Sequence, residues 1–250
     1  MAALPNKNSG QSKKVQVEEM FNQISPKYDL LNHLLSANID KLWRKKTIQL
    51  LKPWNPRLIL DVATGTADFA LAATDINGAR VVGIDISDGM LGIGRRKVHK
   101  KGLANRIELI KADSEKLPFE KDTFDAAIVG FGVRNFENLK TGLTEIKRVL
   151  KPSGVFYILE FSKPVNSPYK QIYQFYFTNI LPLIGRLVSK DNNAYTYLPE
   201  SVNEFPDGEK FLTILAEVGF VESKYFLQTF GIASIYEAQK PKNQPDYTIN

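Results

Sequence analysis

Eleven residues, Leu58-Ile59-Leu60-Asp61-Val62-Ala63-Thr64-Gly65-Thr66-Ala67-Asp68, constrain the fold of this chain more than any other stretch. An apolar run of strand length enters a turn of small residues, and Phe69-Ala-Leu-Ala-Ala then reads as a helix. Strand, tight turn and helix in that order open a βαβ crossover. The turn chemistry is wrong for a dinucleotide, whose fingerprint glycines bring a pyrophosphate onto the helix N-terminus. Aligned on Gly65, the outer glycine positions hold Ala63 and Asp68. Two carboxylates, Asp61 and Asp68, therefore flank the place where a pyrophosphate needs neutral or positive surroundings. Such a turn suits a nucleoside with no phosphates and a cationic tail.

The following hundred residues keep the same rhythm. Strands are expected at 58–62, 79–84, 107–111, 124–129 and 154–161, with helices near 69–73, 89–100 and 139–149. This predicts an α/β fold: a mostly parallel sheet with helices on both faces. Residues 162–204 interrupt the rhythm with prolines and aromatics. A helix at 208–218 and strands near 221–230 and 233–239, turning at Gly231, add a terminal β-hairpin and bring the sheet to seven strands. Ahead of the first strand, 15–52 reads as a helical cover ended by Pro53 and Pro56. The reading is one domain over 15–240, with a disordered tail at 1–14 and a frayed end from 241 to 250.

Acidic residues recur where strands end. Asp85 closes Val81-Val82-Gly83-Ile84, at the interval where an acid meets ribose hydroxyls in such folds. Asp113-Ser114 follows the third strand, and Asp113 is placed to accept from an adenine amino group. Each aspartate alone is equally an N-cap or turn residue. Three in successive βα units describe a site, and S-adenosylmethionine, with sulfonium and ammonium groups, is the ligand its charge suits.

Composition narrows the chemistry further. No cysteine is present, which removes disulfides, thiolate metal sites and cysteine nucleophiles and fits a reducing compartment. Only His33 and His99 are histidines, so no histidine-based zinc site is expected. The chain carries a net charge of +6, and nine basic against four acidic residues lie in the stretch through Lys52. This basic N-terminal face suits an anionic lipid surface or nucleic acid, or is a solvated helix face. Residues 1–12 are too polar for a secretory signal. The most apolar stretch, 173–188, is broken by polar residues and is shorter than the roughly 20 apolar residues a spanning helix needs.

Several narrower motifs carry a resemblance. The chain resembles the ubiquinone/menaquinone biosynthesis C-methyltransferases (UbiE/MenG type) from about Val15 to Lys240. The matching blocks include Tyr28-Asp29-x-x-Asn32, Trp43-Arg44, the 60–68 turn, Gly132-Val-Arg134-Asn135 and Leu159-Glu-Phe-Ser-Lys-Pro164. The resemblance implies a class I S-adenosylmethionine-dependent methyltransferase of Rossmann-like fold. It places cofactor contacts on Thr66, Asp85, Asp113 and Ser114, to which Asp61, Gly65, Ile86 and Gly130 are added as neighbours in the same turns. Two positions depart from the pattern: the usual glycine after the threonine is Ala67, and a frequent serine is Gly130.

The resemblance further implies methyl transfer to a ring carbon of a prenylated demethylmenaquinol, or of the corresponding benzoquinol. Arg134 is expected to stabilise the developing oxyanion or orient a water, against the alternative of a structural Arg–carboxylate pair. Asn135 is expected to orient the ring, and Tyr28 to line the site. His33 is a candidate base, although a lone helical histidine is more often structural. Residues 169–184 are expected to cap the prenyl tail or dip into a membrane interface, with Lys163, Lys170, Arg186 and Lys190 meeting headgroups, against the alternative of a helix packed on the body of the domain. The enzyme would be cytoplasmic, peripherally and transiently on the inner membrane face, as a monomer or homodimer, without nucleic acid or metal. The competing readings are a class I methyltransferase for another phenolic or lipid-like molecule, and a cofactor-binding module without turnover.

Overall fold

Seven strands form one sheet in the order β3-β2-β1-β4-β5-β7-β6: β1 (Leu58–Val62), β2 (Arg80–Asp85), β3 (Ile107–Lys111), β4 (Phe124–Gly130), β5 (Leu150–Phe161), β6 (Val221–Gln228) and β7 (Ala233–Gln239). The computed structural model describes residues 3–35, 38–175, 179 and 193–242; side chains of 27, 29–35, 172 and 193–196 lie outside that description. The first five strands run parallel, whereas β7 is antiparallel to both β5 and β6. The expected hairpin is thus present, and β6 forms the sheet edge. β5 starts earlier than the sequence suggests. Its register jumps from Phe124–Leu150 to Ala126–Val155, so the turn before Gly154 bulges from the ladder.

Alternation along each strand separates two cores. Ile59, Ile128, Val155, Tyr157 and Leu159 point to one face, and Leu60, Val129, Phe156 and Ile158 to the other. Residues of α2 (Ile39–Leu51), α3 (Asp68–Ala73) and α4 (Asp88–Lys100) close the first core. The second is closed by α5 (Leu139–Val149) and by Glu209–Val218, the eighth helix among the described residues. The helix starts are set by side chains: Ser87 Oγ accepts from Met90 N at 3.2 Å and Asn138 Oδ1 from Thr141 N at 3.0 Å.

The N-terminal cover is α1 (Lys13–Leu35) followed by α2. Pro26 lies inside α1 and cannot donate to the Asn22 carbonyl one turn back. Ser25 Oγ takes that acceptor at 3.0 Å. The Asn22 side chain meanwhile leaves the helix, and its Oδ1 accepts from Ser87 Oγ at 2.7 Å and Gly89 N at 2.9 Å. One residue of α1 therefore caps α4. Close approach is possible because a Cβ at Gly89 would come within 2.7 Å of Ser25 Oγ.

The described part of the 162–204 segment contains α6 (Tyr169–Phe175) and α7 (Asn193–Glu204). The N-terminal residues differ from the disordered tail read from composition. Ala3 is buried with Val17, Met20 and Tyr197, its N–H meets Glu204, and Asn6 N donates to Gln16 Oε1 at 2.8 Å. Polar composition hid this because backbone and single side-chain contacts, not an apolar stripe, hold the segment. Among the described residues no helix is long and apolar enough to cross a membrane.

Candidate active site

The C-terminal ends of β1, β2, β3 and β4 surround a cleft of about 690 Å³, partly open to solvent, with α1 lying over it. A smaller lobe of about 370 Å³ extends towards α2 and shares Tyr28, Ala63, Gly65, Gly130 and Phe131 with the larger one. Openings at the carboxyl ends of parallel strands are where such sheets bind ligands.

The turn after β1 is built on three left-handed residues: Ala63 at φ +51°, Gly65 at +56° and Ala67 at +67°. Ala67 thus adopts a glycine-like conformation with a methyl attached. The neighbouring turn after β4 presses on it, since a Cβ at Gly132 would lie 2.7 Å from Ala63 Cβ. A side chain at Gly130 would meet Phe69, whose Cδ1 lies 3.0 Å from the ideal Cβ, so the missing serine leaves room for that ring.

Asp61 is fully buried; its Oδ2 accepts from Thr64 Oγ1 at 2.6 Å, while Oδ1 makes no hydrogen bond. Burial pushes its carboxyl up to about 7, against the opposing pull of Thr64, Ala70 N–H and the Arg44 charge. Asp85 closes β2 and joins two turns, accepting from Gly65 N at 2.8 Å and Ser87 N at 2.9 Å. Desolvation raises it to about 6, opposed by those backbone donors. A carboxylate has about four acceptor sites, so Asp85 keeps room for ribose hydroxyls.

Two acids have partners on the helices. Asp68 does not contribute negative charge to the turn: Lys97 of α4 pairs with it and donates to Thr66 Oγ1 at 3.0 Å. The second acid of the turn is Asp85. Asp113 points to Lys14 of α1, with Oδ2 2.6 Å from Nζ, and its Oδ1 accepts from Glu115 N at 2.8 Å. At the end of β3 the cavity wall is Ala112, Ser114 and Glu115. Ile86 also lines the cavity.

On the acceptor side, Phe131 stands at φ +58° and turns its carbonyl towards the next residues. That oxygen accepts from Arg134 Nη1 at 2.5 Å and Asn135 Nδ2 at 3.3 Å. Asn135 lines the cavity, and its Oδ1 accepts from Tyr197 Oη at 3.0 Å. Arg134 does not face the cavity directly as expected. Its Nη1 lies 2.6 Å from Glu160 Oε1, and Glu160 is wholly buried. The geometry is the Arg–carboxylate pair, with Nε buried and without a hydrogen bond. Burial raises the Glu160 carboxyl while the Arg134 charge opposes the rise.

Glu160, Tyr197 and Tyr173 were not singled out in the sequence. An acid inside the apolar run Ile158-Leu159-Glu160-Phe161 was the available signal, because a buried charge requires a partner. Burial raises Tyr197 to about 12, and burial raises Tyr173 further; both also feel Arg134 and Glu160. Tyr28 lines both lobes and packs edge-on against Phe21, ring centroids 6.0 Å apart. The His33 side chain lies outside the described residues. Arg186 and Lys190 also lie outside them. Lys163 is tied to the body of the protein, 3.1 Å from Asp207 Oδ1, with further bonds to the Asn203 and Phe205 carbonyls.

The cavity fits the inferred nucleoside. A buried Asp61 carboxylate oxygen without a hydrogen bond and the Asp85 carboxylate suit a cationic nucleoside, and Gly65 N, which a phosphate would use, is already held by Asp85. Sheet order, terminal antiparallel strand and acidic strand ends together define a class I S-adenosylmethionine-dependent methyltransferase fold. A solved structure described as an S-adenosylmethionine-dependent methyltransferase, possible histamine N-methyltransferase, from Thermotoga maritima is similar with TM-score 0.63 at 16% identity, covering 89% of this chain and 99% of that one. Over residues 8–240 the sequence matches the ubiE/COQ5 methyltransferase family. The chain belongs to that family. It is 46% identical to the demethylmenaquinone methyltransferase of Bacteroides fragilis over 94% of this chain and 96% of the relative. It is 45% identical to the ubiquinone/menaquinone biosynthesis C-methyltransferase of Geobacter sulfurreducens, over 90% of this chain and 88% of the relative.

Proposed function

We propose that this protein transfers a methyl group from S-adenosylmethionine to a ring carbon of a prenylated demethylmenaquinol, completing the menaquinone ring. The observation that carries the reading is near full-length similarity to demethylmenaquinone methyltransferases together with an acid-lined, apolar-walled cavity. The bound cofactor supplies an electrophilic methyl on a positively charged sulfur.

The residues divide the remaining work. Asp85 takes the ribose hydroxyls and Asp61 the cationic end, while Ile86 and Ser114 border the adenine. Asp113 receives the adenine amino group in exchange for Lys14. Thr66, Gly65 and Gly130 shape the wall beside the donor's amino-acid end. A free phenol titrates near 10, so the acceptor ring needs help to become nucleophilic. The positive Arg134 guanidinium, held in orientation by Glu160 behind the cavity wall, favours the phenolate through its field rather than by direct contact. Asn135, steadied by Tyr197, orients the ring, and Tyr28 closes the cavity over it. Phe131, Phe136 and Val17 keep the reacting atoms dry.

A lipid-tailed acceptor also requires access to a membrane. Val165, Phe175 and Phe230 are largely exposed, and Tyr169 stacks on Phe230 with ring centroids 3.9 Å apart. Lys41, Lys45 and Lys46 form an exposed basic row on α2. Together they support peripheral, reversible docking on an anionic cytoplasmic leaflet. Vesicles of anionic phospholipid should sediment the protein, and Phe175→Ser with Phe230→Ser should abolish this. Equal recovery on neutral vesicles would remove the basic row from the account.

The activity test supplies purified protein, in detergent, with S-adenosylmethionine and either demethylated naphthoquinol or demethylated benzoquinol. Mass spectrometry should show one added methyl on the naphthoquinol. Methylation of neither ring would end the reading. Methylation of both would extend it, as the Geobacter relative's name suggests for that protein.

A further inference from the structure

The smaller lobe is lined by Asp61 and Arg44, opposite charges on different elements, and by Asp68, which Lys97 already neutralises. Asp61, at the end of β1, contributes a buried carboxylate whose Oδ1 has no hydrogen-bond partner. Across the lobe stands Arg44 of α2, which is buried except where it borders the cavity. Its Nη1 pairs with Asp40 one helical turn earlier, and its guanidinium carbon lies 6.0 Å from the Phe131 ring centroid. Asp40 is itself buried, so the guanidinium is held from behind by a fixed partner. Arg44 is the only cationic side chain among the described residues lining this lobe. Thr64, Gly65 and Thr66 complete the wall between the two charges.

A small ligand bearing both an ammonium and a carboxylate matches this pair. A guanidinium has five N–H donors, and one carboxylate partner leaves a fork free for a second. We propose that Arg44 binds the carboxylate of the donor's amino-acid end, with Asp61 taking the ammonium and Asp40 positioning Arg44. The assignment rests on S-adenosylmethionine being the cofactor and adds a residue that no sequence motif had marked for binding. It makes the lobe a reader of the zwitterion, so that a donor lacking the carboxylate is rejected. The alternative is that Arg44 and Asp40 merely staple α2.

Calorimetry with S-adenosylhomocysteine and with methylthioadenosine, which lacks the amino-acid end, separates the two. Arg44→Gln should weaken S-adenosylhomocysteine by about 10- to 100-fold, the range of a charged hydrogen bond, and leave methylthioadenosine unchanged. Arg44→Lys should recover part of the loss. Equal weakening of both ligands, or of neither, overturns the assignment. If the glutamine variant does not fold, native protein is compared with S-adenosylhomocysteine and its decarboxylated analogue. A preference of about tenfold or more for the intact carboxylate is expected, and equal affinity overturns the assignment. Native protein that binds none of these nucleosides would instead overturn the cofactor assignment beneath it.

Discussion

Glu160 Oε1 lies 2.6 Å from Arg134 Nη1, with the carboxylate wholly buried and the guanidinium nearly so. The pair joins β5 to the turn after β4, and Tyr173 and Tyr197 both feel its charges. Removing one partner of a buried pair strands the other charge, at a cost of about 3–5 kcal/mol. Glu160→Gln should therefore lower the melting temperature and turnover together. Arg134→Ala should reduce turnover by ~10²-fold or more while leaving S-adenosylhomocysteine affinity close to native. Near-normal turnover in Arg134→Ala would reduce the pair to a structural brace.

Asp61 makes the pH behaviour specific. An unfolded aspartate titrates near 3.9, whereas burial holds the folded carboxyl at about 7. The folded state keeps its proton longer, so stability falls as pH rises through that interval and the cost is complete above 7. Asp61→Asn should raise the melting temperature of the ligand-free protein at pH 8, by an amount shrinking towards pH 4. Cofactor needs the ionised form, so native affinity should fall as pH drops below 7, with protons released on binding. Calorimetry in buffers of different ionisation enthalpy reads this release, and its absence near pH 6.5 would contradict the assignment.

Lys14 competes for the adenine partner. Its Nζ sits 2.6 Å from Asp113 Oδ2 and 4.0 Å from Glu115 Oε2, with both sides of the pair about one-third exposed. Such a pair contributes at most ~1 kcal/mol. Lys14→Ala should tighten S-adenosylhomocysteine by up to about fivefold, the equivalent of that energy, with a smaller gain at high salt. Weaker binding would mean that Lys14 holds the adenine rather than yielding to it.

The turn around Ala67 weighs three small effects against each other. A left-handed alanine costs about 1–2 kcal/mol. Its buried methyl returns about 0.8 kcal/mol, and its stiffer unfolded chain returns about 0.4–1 kcal/mol. Ala67→Gly should thus be nearly neutral in thermal denaturation. Gly132→Ala should not, because its Cβ would collide with Ala63 Cβ and Val129 Cγ2 at 2.7 and 2.9 Å. A loss of about 1–3 kcal/mol is expected there. A large gain from Ala67→Gly would show that strain dominates the turn.

Much of the sheet was legible because its signals are local. Alternation and apolar runs locate β1 to β4 within a residue or two, and acids at strand ends locate the cavity. What escaped depends on distant partners. Lys97 neutralises Asp68 from another helix, Lys14 reaches Asp113 across the cleft, and Glu160 meets Arg134 only through the β4–β5 register. The tether at Ala3 escaped for the same reason, since Glu204 and Tyr197, two of the residues it meets, lie on α7 far along the chain. Periodicity reports which face is buried, not which charge is answered.

The most direct test of the central claim follows a donor carrying an isotopically labelled methyl group into demethylated prenyl naphthoquinol, with the product read by nuclear magnetic resonance. A labelled methyl attached to the ring carbon, with both hydroxyls still free, is the expected result. A labelled methyl ether, or label remaining wholly on the donor after prolonged incubation, would contradict it.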